Sequence, residues 1–147
     1  MAQVPRHGRA ISEPLGKGQD MAIKYQHGQM VSPVVAKTAD YTVTRADFGK
    51  TFTNRGDAGA IVFTLPSPAG CNGNWVDFMC VVDEDLSVTG SAGEQLVFHN
   101  NATGDTYTLG QTGEQIGNSV RAQSDGTSWL IRPNMATEAV TATFTDA

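Results

Sequence analysis

Hydrophobic and polar positions alternate in short segments from Tyr41 onward. In one of them, Ile61, Phe63 and Leu65 share a face, which is the period-2 pattern of a half-buried strand. Turns rich in glycine or asparagine separate further alternating segments, which we place at Leu86–Thr89, Gln95–His99, Thr106–Leu109, Asn118–Ala122 and Ser128–Arg132. Short strands with a turn about every ten residues predict an all-β fold, and we expect a β-sandwich or jelly-roll-like module.

The segment Trp75–Val82 is the best candidate for a central strand. Both its odd-numbered and its even-numbered positions are largely apolar, as expected of a strand that is covered on both faces. Earlier in the chain, Thr44–Asp47 has the residues to cap a single helical turn, which Gly49 would end.

The N-terminal segment has a different character. Residues 1–20 carry two prolines, three glycines and mixed charges without either period, so this segment buries too little apolar surface to order itself. Met21, Ile23 and Tyr25 then alternate with Ala22 and Lys24. A second extended piece follows over residues 29–36, and Pro33 restricts that piece to the edge of a sheet or to positions outside the hydrogen-bonded ladder.

These patterns divide the chain into three parts. We expect an extended arm over residues 1–38, a β-domain over residues 39–136, and a C-terminal strand over residues 137–147. The last segment, TEAVTATFTDA, alternates cleanly and is rich in β-branched residues, which favours a strand. It would complete the sheet or pair with a neighbouring subunit.

Charge is distributed unevenly along the chain. Residues 1–40 carry five basic and three acidic side chains, whereas the remainder carries five basic and twelve acidic ones. An acidic body argues against nucleic-acid binding. No apolar run approaches the roughly 18 residues of a membrane span, and the N-terminus lacks the apolar core of a signal peptide. We therefore expect no membrane partner and synthesis in a cytoplasm-like compartment.

Candidate chemistry is sparse. His7, His27 and His99 lack metal-ligand spacing, and no nucleophile motif or phosphate-binding loop occurs. Asp83-Glu84-Asp85 lacks the further ligands and the glycine of a calcium loop, so we interpret it as a solvated turn. We predict no catalytic, cofactor-binding or metal-binding residues and no enzymatic activity.

Three other features have a structural interpretation. Cys80 lies in an apolar run and is expected in the core, and Cys71 lies in a turn; pairing of the two across a strand end stays open. Arg55-Gly56-Asp57 is expected to form an ordinary turn. Trp75 shares its face with Asp77, so a carbohydrate-binding face at this position also stays open.

The stretch from Tyr41 to Arg132 resembles a loose group of virion proteins of tailed bacteriophages and prophages. The resemblance rests on short segments in a fixed order: Tyr41-Thr42-Val43, Phe48-Gly49-Lys50-Thr51, Phe63-Thr64-Leu65-Pro66 with Ala69-Gly70, Trp75–Val82, and Asp125-Gly126-Thr127-Ser128-Trp129. It implies a β-sandwich or jelly-roll module of the kind found in head decoration proteins, head fibres and tail proteins. It implies no catalytic residues.

The functional expectation is a capsid decoration (cement) protein. It would bind the outer surface of the capsid in a virion assembled in the host cytoplasm, with the major capsid protein and its own copies as partners. A homotrimer is expected and a dimer is also compatible. The predicted partner-contacting residues of the arm are Met21, Ile23, Tyr25, Met30 and Val34. The alternative is a receptor- or carbohydrate-binding module of a phage tail or fibre.

Overall fold

The computed structural model describes residues 31–93, 95–110 and 116–134, and the backbone of residues 143–145. Residues 32–147 form one compact unit. Apart from a single 3-10 turn at Arg45–Asp47, the regular elements in these ranges are strands. They are β1 (Val34–Ala36), β2 (Tyr41–Thr42), β3 (Thr51–Thr53), β4 (Ile61–Thr64), β5 (Trp75–Met79), β6 (Leu86–Thr89), β7 (Leu96–Phe98), β8 (Asn101–Gly104), β9 (Thr106–Leu109), β10 (Ser119–Ser124), β11 (Trp129–Asn134) and β12 (Thr143–Thr145).

The strands form two sheets, which confirms the predicted all-β class. The seven-stranded sheet has the order β1-β3-β5-β10-β11-β7-β8, and the five-stranded sheet has the order β12-β9-β6-β4-β2. The first six strands alternate between the sheets, so β1, β3 and β5 pair in parallel in one and β2, β4 and β6 pair in parallel in the other. Antiparallel pairs dominate from β9 onward.

Buried residues of the two sheets form one hydrophobic cluster. Phe52 and Phe78, from the seven-stranded sheet, both contact Phe63 from the five-stranded sheet, with ring centroids 5.5 and 4.9 Å apart. Tilted rings at these separations add to the stabilisation from buried area. The fully buried Trp129 donates its indole N–H to the carbonyl of Pro66 at 2.8 Å, which ties β11 to the segment after β4.

A buried carboxylate organises the 3-10 turn. Asp47 accepts hydrogen bonds from the Thr44 N–H (2.9 Å), the Thr44 hydroxyl (2.8 Å), the Tyr41 hydroxyl (3.1 Å) and Lys50 Nζ (2.7 Å). Burial opposes ionisation, but these donors outweigh it and lower the pKa of Asp47 to about 2. Gly49 follows with φ +82°, so the predicted turn and its terminating glycine are confirmed.

The strand predictions are largely confirmed. Strands β4, β6, β7, β9, β10 and β11 occur within about two residues of their predicted positions, and β5 is flanked by β3 and β10 as a central strand should be. The expected coverage of both faces is wrong, because β5 ends at Met79 and only its even-numbered residues, Val76 and Phe78, are buried. The structure adds two strands that the alternation did not predict, β3 and β8.

The two ends of the described unit overlap the predicted arm and terminal strand. Within the arm predicted over 1–38, β1 pairs in parallel with β3 and is the end strand of its sheet among the described residues, in agreement with the edge position expected from Pro33. Within the terminal strand predicted over 137–147, β12 pairs with β9 and extends the five-stranded sheet.

Candidate functional site

The outer face of the seven-stranded sheet carries a row of polar side chains. Register places Thr51 of β3, Asp77 of β5, Arg121 of β10 and Arg132 of β11 directly opposite one another on successive strands. Side chains opposite one another in a sheet project from the same face. The intervening residues Phe52, Phe78 and Val120 point into the core, so this row faces away from it.

Arg121 is held in place by two neighbours. Its Nε and Nη2 donate to the two carboxylate oxygens of Asp77 at 2.7 and 2.8 Å, a bidentate geometry that fixes the plane of the guanidinium. The guanidinium carbon also lies 4.1 Å from the ring centroid of Trp75. The hydrogen bonds to Asp77 raise the pKa of Arg121 above its ordinary value. The guanidinium is therefore a pre-oriented cation with its Nη1 group unused in the described part of the chain.

Arg132 lies across the strand pair from Arg121 and differs from it in one respect. Its side chain is exposed, and no carboxylate of the described ranges forms an ion pair with it. Like charges directly opposite in a sheet destabilise the pair, and Asp77 neutralises only one of these two. Among the described residues, the row thus carries one positive charge without an ion-pair partner, on a protein whose formal net charge is −5.

A groove of about 310 Å³ opens beside this row. Besides Asp77, Arg121 and Arg132, its described lining includes the polar residues Thr51, Ser119 and Asn134 and the apolar residue Met79. Neither hydroxyl nor the amide has a side-chain hydrogen bond to another residue that the structure describes. The groove therefore combines two cations, one of them already paired with Asp77, with several polar groups and apolar residues.

Trp75 does not line this groove. It is half-buried, and the Arg121 guanidinium lies over its ring. A sugar that stacked on that ring face would have to displace the guanidinium. The polar groups beside Trp75, and not the indole face, are therefore the accessible part of this region.

Of the five predicted arm contacts, the structure describes one. Val34 lies in β1 with 69% of its side chain exposed, while its neighbour Val35 packs against the core. Register continues the outer row to Val34, which lies opposite Thr51. Met21, Ile23, Tyr25 and Met30 lie outside the described residues.

Of the three histidines considered as possible ligands, the structure describes His99. His99 begins the two-residue turn between β7 and β8, where His99 and Asn100 both have positive φ, and its ring lies 5.9 Å from that of Tyr107. His7 and His27 lie outside the described residues. In the described ranges, no group of three or more histidine, cysteine or acidic side chains is placed to hold a metal ion.

Both cysteines are buried and free. Burial, with Asp85 and Asp83 nearby, raises the pKa of the Cys80 thiol to about 12, as expected of a core cysteine. Arg55-Gly56-Asp57 forms a turn in which the Asp57 N–H donates to the Asn54 carbonyl at 3.1 Å. Asp83 and Asp85 are exposed at the turn between β5 and β6.

Sequence reasoning missed the pairing of Asp77 with Arg121. The two residues lie 44 positions apart, and no local pattern links them. The placement of Asp77 on the Trp75 face was the available signal, because it indicated a polar position on an otherwise apolar strand.

Across the ranges that the structure describes, no helix has the length and apolar character needed to span a membrane. Comparison of the sequence with models of protein families and with curated proteins gives no match.

Proposed function

We propose that this chain is a capsid decoration protein of a tailed bacteriophage, built on a β-sandwich or jelly-roll-like module. It binds the outer surface of the mature capsid as a homotrimer or dimer and stabilises the shell through apolar contacts from its N-terminal region. The sequence resemblance over residues 41–132 motivates this assignment. The two sheets with a shared core are compatible with it.

The exposed Val34 is the structural observation that supports the proposal. Pairing of β1 with β3 fixes the backbone at this point, so the side chain is presented to solvent from a rigid edge and not from a loose segment. A large aliphatic side chain at 69% exposure can still gain roughly 1 kcal/mol or more when a partner covers it. The same gain recurs at every symmetry-related copy on a capsid.

Binding restricted to the assembled shell would stabilise that shell by mass action. Oligomerisation would strengthen binding further, because each additional N-terminal region then binds at a high effective concentration. A closed cyclic trimer or dimer allows equivalent contacts from every copy.

Co-sedimentation with capsid shells that lack the protein tests the proposal. We expect wild-type protein to pellet with shells at a fixed ratio and to raise their melting temperature. Val34→Asp should weaken binding, whereas Ile116→Asp, which changes a comparably exposed residue (61%) outside the N-terminal region, should not. Replacing Met21, Ile23, Tyr25 and Met30 together by serine should abolish binding. Wild-type protein that remains in the supernatant would contradict the proposal.

The alternative is a receptor- or carbohydrate-binding module of a tail or fibre. The groove beside Arg121 and Arg132 favours it, because unpaired polar groups around a small depression are typical of ligand sites. A glycan screen with wild-type protein and Arg132→Met distinguishes this function from capsid binding, which should be unaffected by that substitution.

A further inference from the structure

We infer that the groove on the outer face of the seven-stranded sheet binds an acidic saccharide, with the sugar carboxylate held by Arg121 and Arg132. This inference rests on the recognition function given above as the alternative. It does not involve Val34 or the N-terminal region, so it can fail or succeed independently of capsid binding.

The charge of the outer row of polar side chains (Thr51, Asp77, Arg121 and Arg132) favours an anionic ligand. Arg121 and Arg132 lie opposite each other on neighbouring strands, and Asp77 compensates only Arg121. Because Asp77 belongs to the same lining, the two arginines leave one positive charge over, and a carboxylate between the guanidinium groups would neutralise it and reduce their repulsion. It would also meet donors in the forked geometry that favours carboxylate recognition.

The site is partly pre-oriented. Arg121 is fixed by two hydrogen bonds and by Trp75, so little side-chain freedom is lost when its remaining N–H groups bind a ligand. Arg132 is exposed and has no ion-pair partner in the described ranges, so its guanidinium is available to a ligand. One fixed cation beside one unpaired cation suits the binding of a small charged group.

The rest of the lining favours a sugar over an acidic protein surface. Thr51, Ser119 and Asn134 add donors and acceptors that match sugar hydroxyls, and Met79 offers an apolar contact for the ring C–H groups. A volume of about 310 Å³ is at the lower end of the range for small-molecule sites. It therefore accommodates a short saccharide segment more readily than a folded partner.

Isothermal titration of the full chain with tri-galacturonate, at low and at physiological salt, tests the inference. Neutral maltotriose and a glutamate-rich peptide serve as the comparison ligands. Arg132→Met should weaken tri-galacturonate binding about tenfold or more, the usual effect of losing a hydrogen-bonded charge partner. Arg55→Met removes an exposed arginine that does not line the groove and should change the affinity less than about twofold. Urea unfolding of each variant verifies the fold.

The possible outcomes of these titrations distinguish the inference from its alternatives. Saturable binding of tri-galacturonate that is weakened by Arg132→Met and unaffected by Arg55→Met supports the inference. Equal binding of maltotriose would retain a saccharide-recognition function but overturn the role of the carboxylate. Equal or tighter binding of the peptide would overturn the saccharide assignment and favour protein docking. Absence of binding to all three ligands, or equal effects of both substitutions, would overturn the inference.

Discussion

Protonating Asp47, or replacing it with a neutral residue, should lower the free energy of unfolding by an amount that the structure predicts. Asp47 is 4% exposed, and its carboxylate accepts four hydrogen bonds, one of them from Lys50 at 2.7 Å. The substitution Asp47→Asn keeps the shape of the side chain but removes the charge. We therefore expect Asp47→Asn to behave at neutral pH as wild-type protein would with Asp47 protonated.

The magnitude follows from the lowered pKa. The pKa of Asp47 falls from 3.8 to about 2 on folding, and one pKa unit corresponds to about 1.4 kcal/mol. The charged form therefore contributes about 2 kcal/mol to the free energy of unfolding. This contribution is fully present above the unfolded pKa of 3.8 and is lost as the pH falls through about 2.

Urea unfolding of wild-type and Asp47→Asn protein between pH 7 and pH 2 measures this contribution. Urea is preferred to guanidinium chloride because the salt would screen the ion pair with Lys50. The variant should be about 2 kcal/mol less stable at pH 7, and the difference should shrink below about 0.5 kcal/mol near pH 2. Other carboxylates titrate in both proteins, so their contributions cancel in the difference.

Glu84→Gln provides the matched control. Glu84 is half-buried, and its carboxylate accepts no hydrogen bond from another residue in the described ranges. The stability of Glu84→Gln should therefore differ little from that of wild type across this pH range. A difference between wild type and Asp47→Asn that is independent of pH over this range would refute the reasoning. It would mean that the substitution acts through packing and not through charge.

Two further substitutions test the core of the fold. Asn54 is fully buried, donates to two carbonyls and accepts from two N–H groups of the segment 81–84; Asn54→Ala should therefore cost about 3 kcal/mol in urea unfolding, and a loss below 1 kcal/mol would contradict this role. A Cβ added at Gly104 would clash with the buried Phe98 ring, so Gly104→Ala should cost about 1–3 kcal/mol. Gly59→Ala, where the added Cβ meets nothing within 4 Å, should be nearly neutral, and equal losses at both glycines would refute the packing argument.

The sequence predicted strands best where side-chain alternation is strong. In β4, Ile61 and Phe63 are fully buried while Val62 is half-buried, and this contrast is visible as period 2 in the sequence. Strand β3 was missed because only Phe52 marks a core face in its three residues. Strand β8 was missed because Asn101 and Gly104 have the composition of turns; its place in the sheet comes from pairing with β7.

Alternation identifies the buried face of a strand but not its neighbour. The parallel pairing of β2, β4 and β6 joins strands that are separated by a strand of the other sheet, and no local pattern encodes that arrangement. The same limit applies to the candidate site. Asp77 and Arg121 meet only because β5 and β10 are paired in one particular register, so the groove could not be predicted from the sequence.

The topology also explains how the proposed recognition face can form on this sheet. Inward positions of β5 and β10 are occupied by Phe78, Val120 and other fully buried residues, which fixes the register of both strands, since a slip by one residue would expose that core. The residues on the outer face of the sheet have the same register, although they do not belong to the core. The backbone positions of Asp77, Arg121 and Arg132 are therefore fixed by packing on the other side of the sheet. Substitution of Arg132, which has no ion-pair partner in the described ranges, should change the proposed recognition at little cost to the fold.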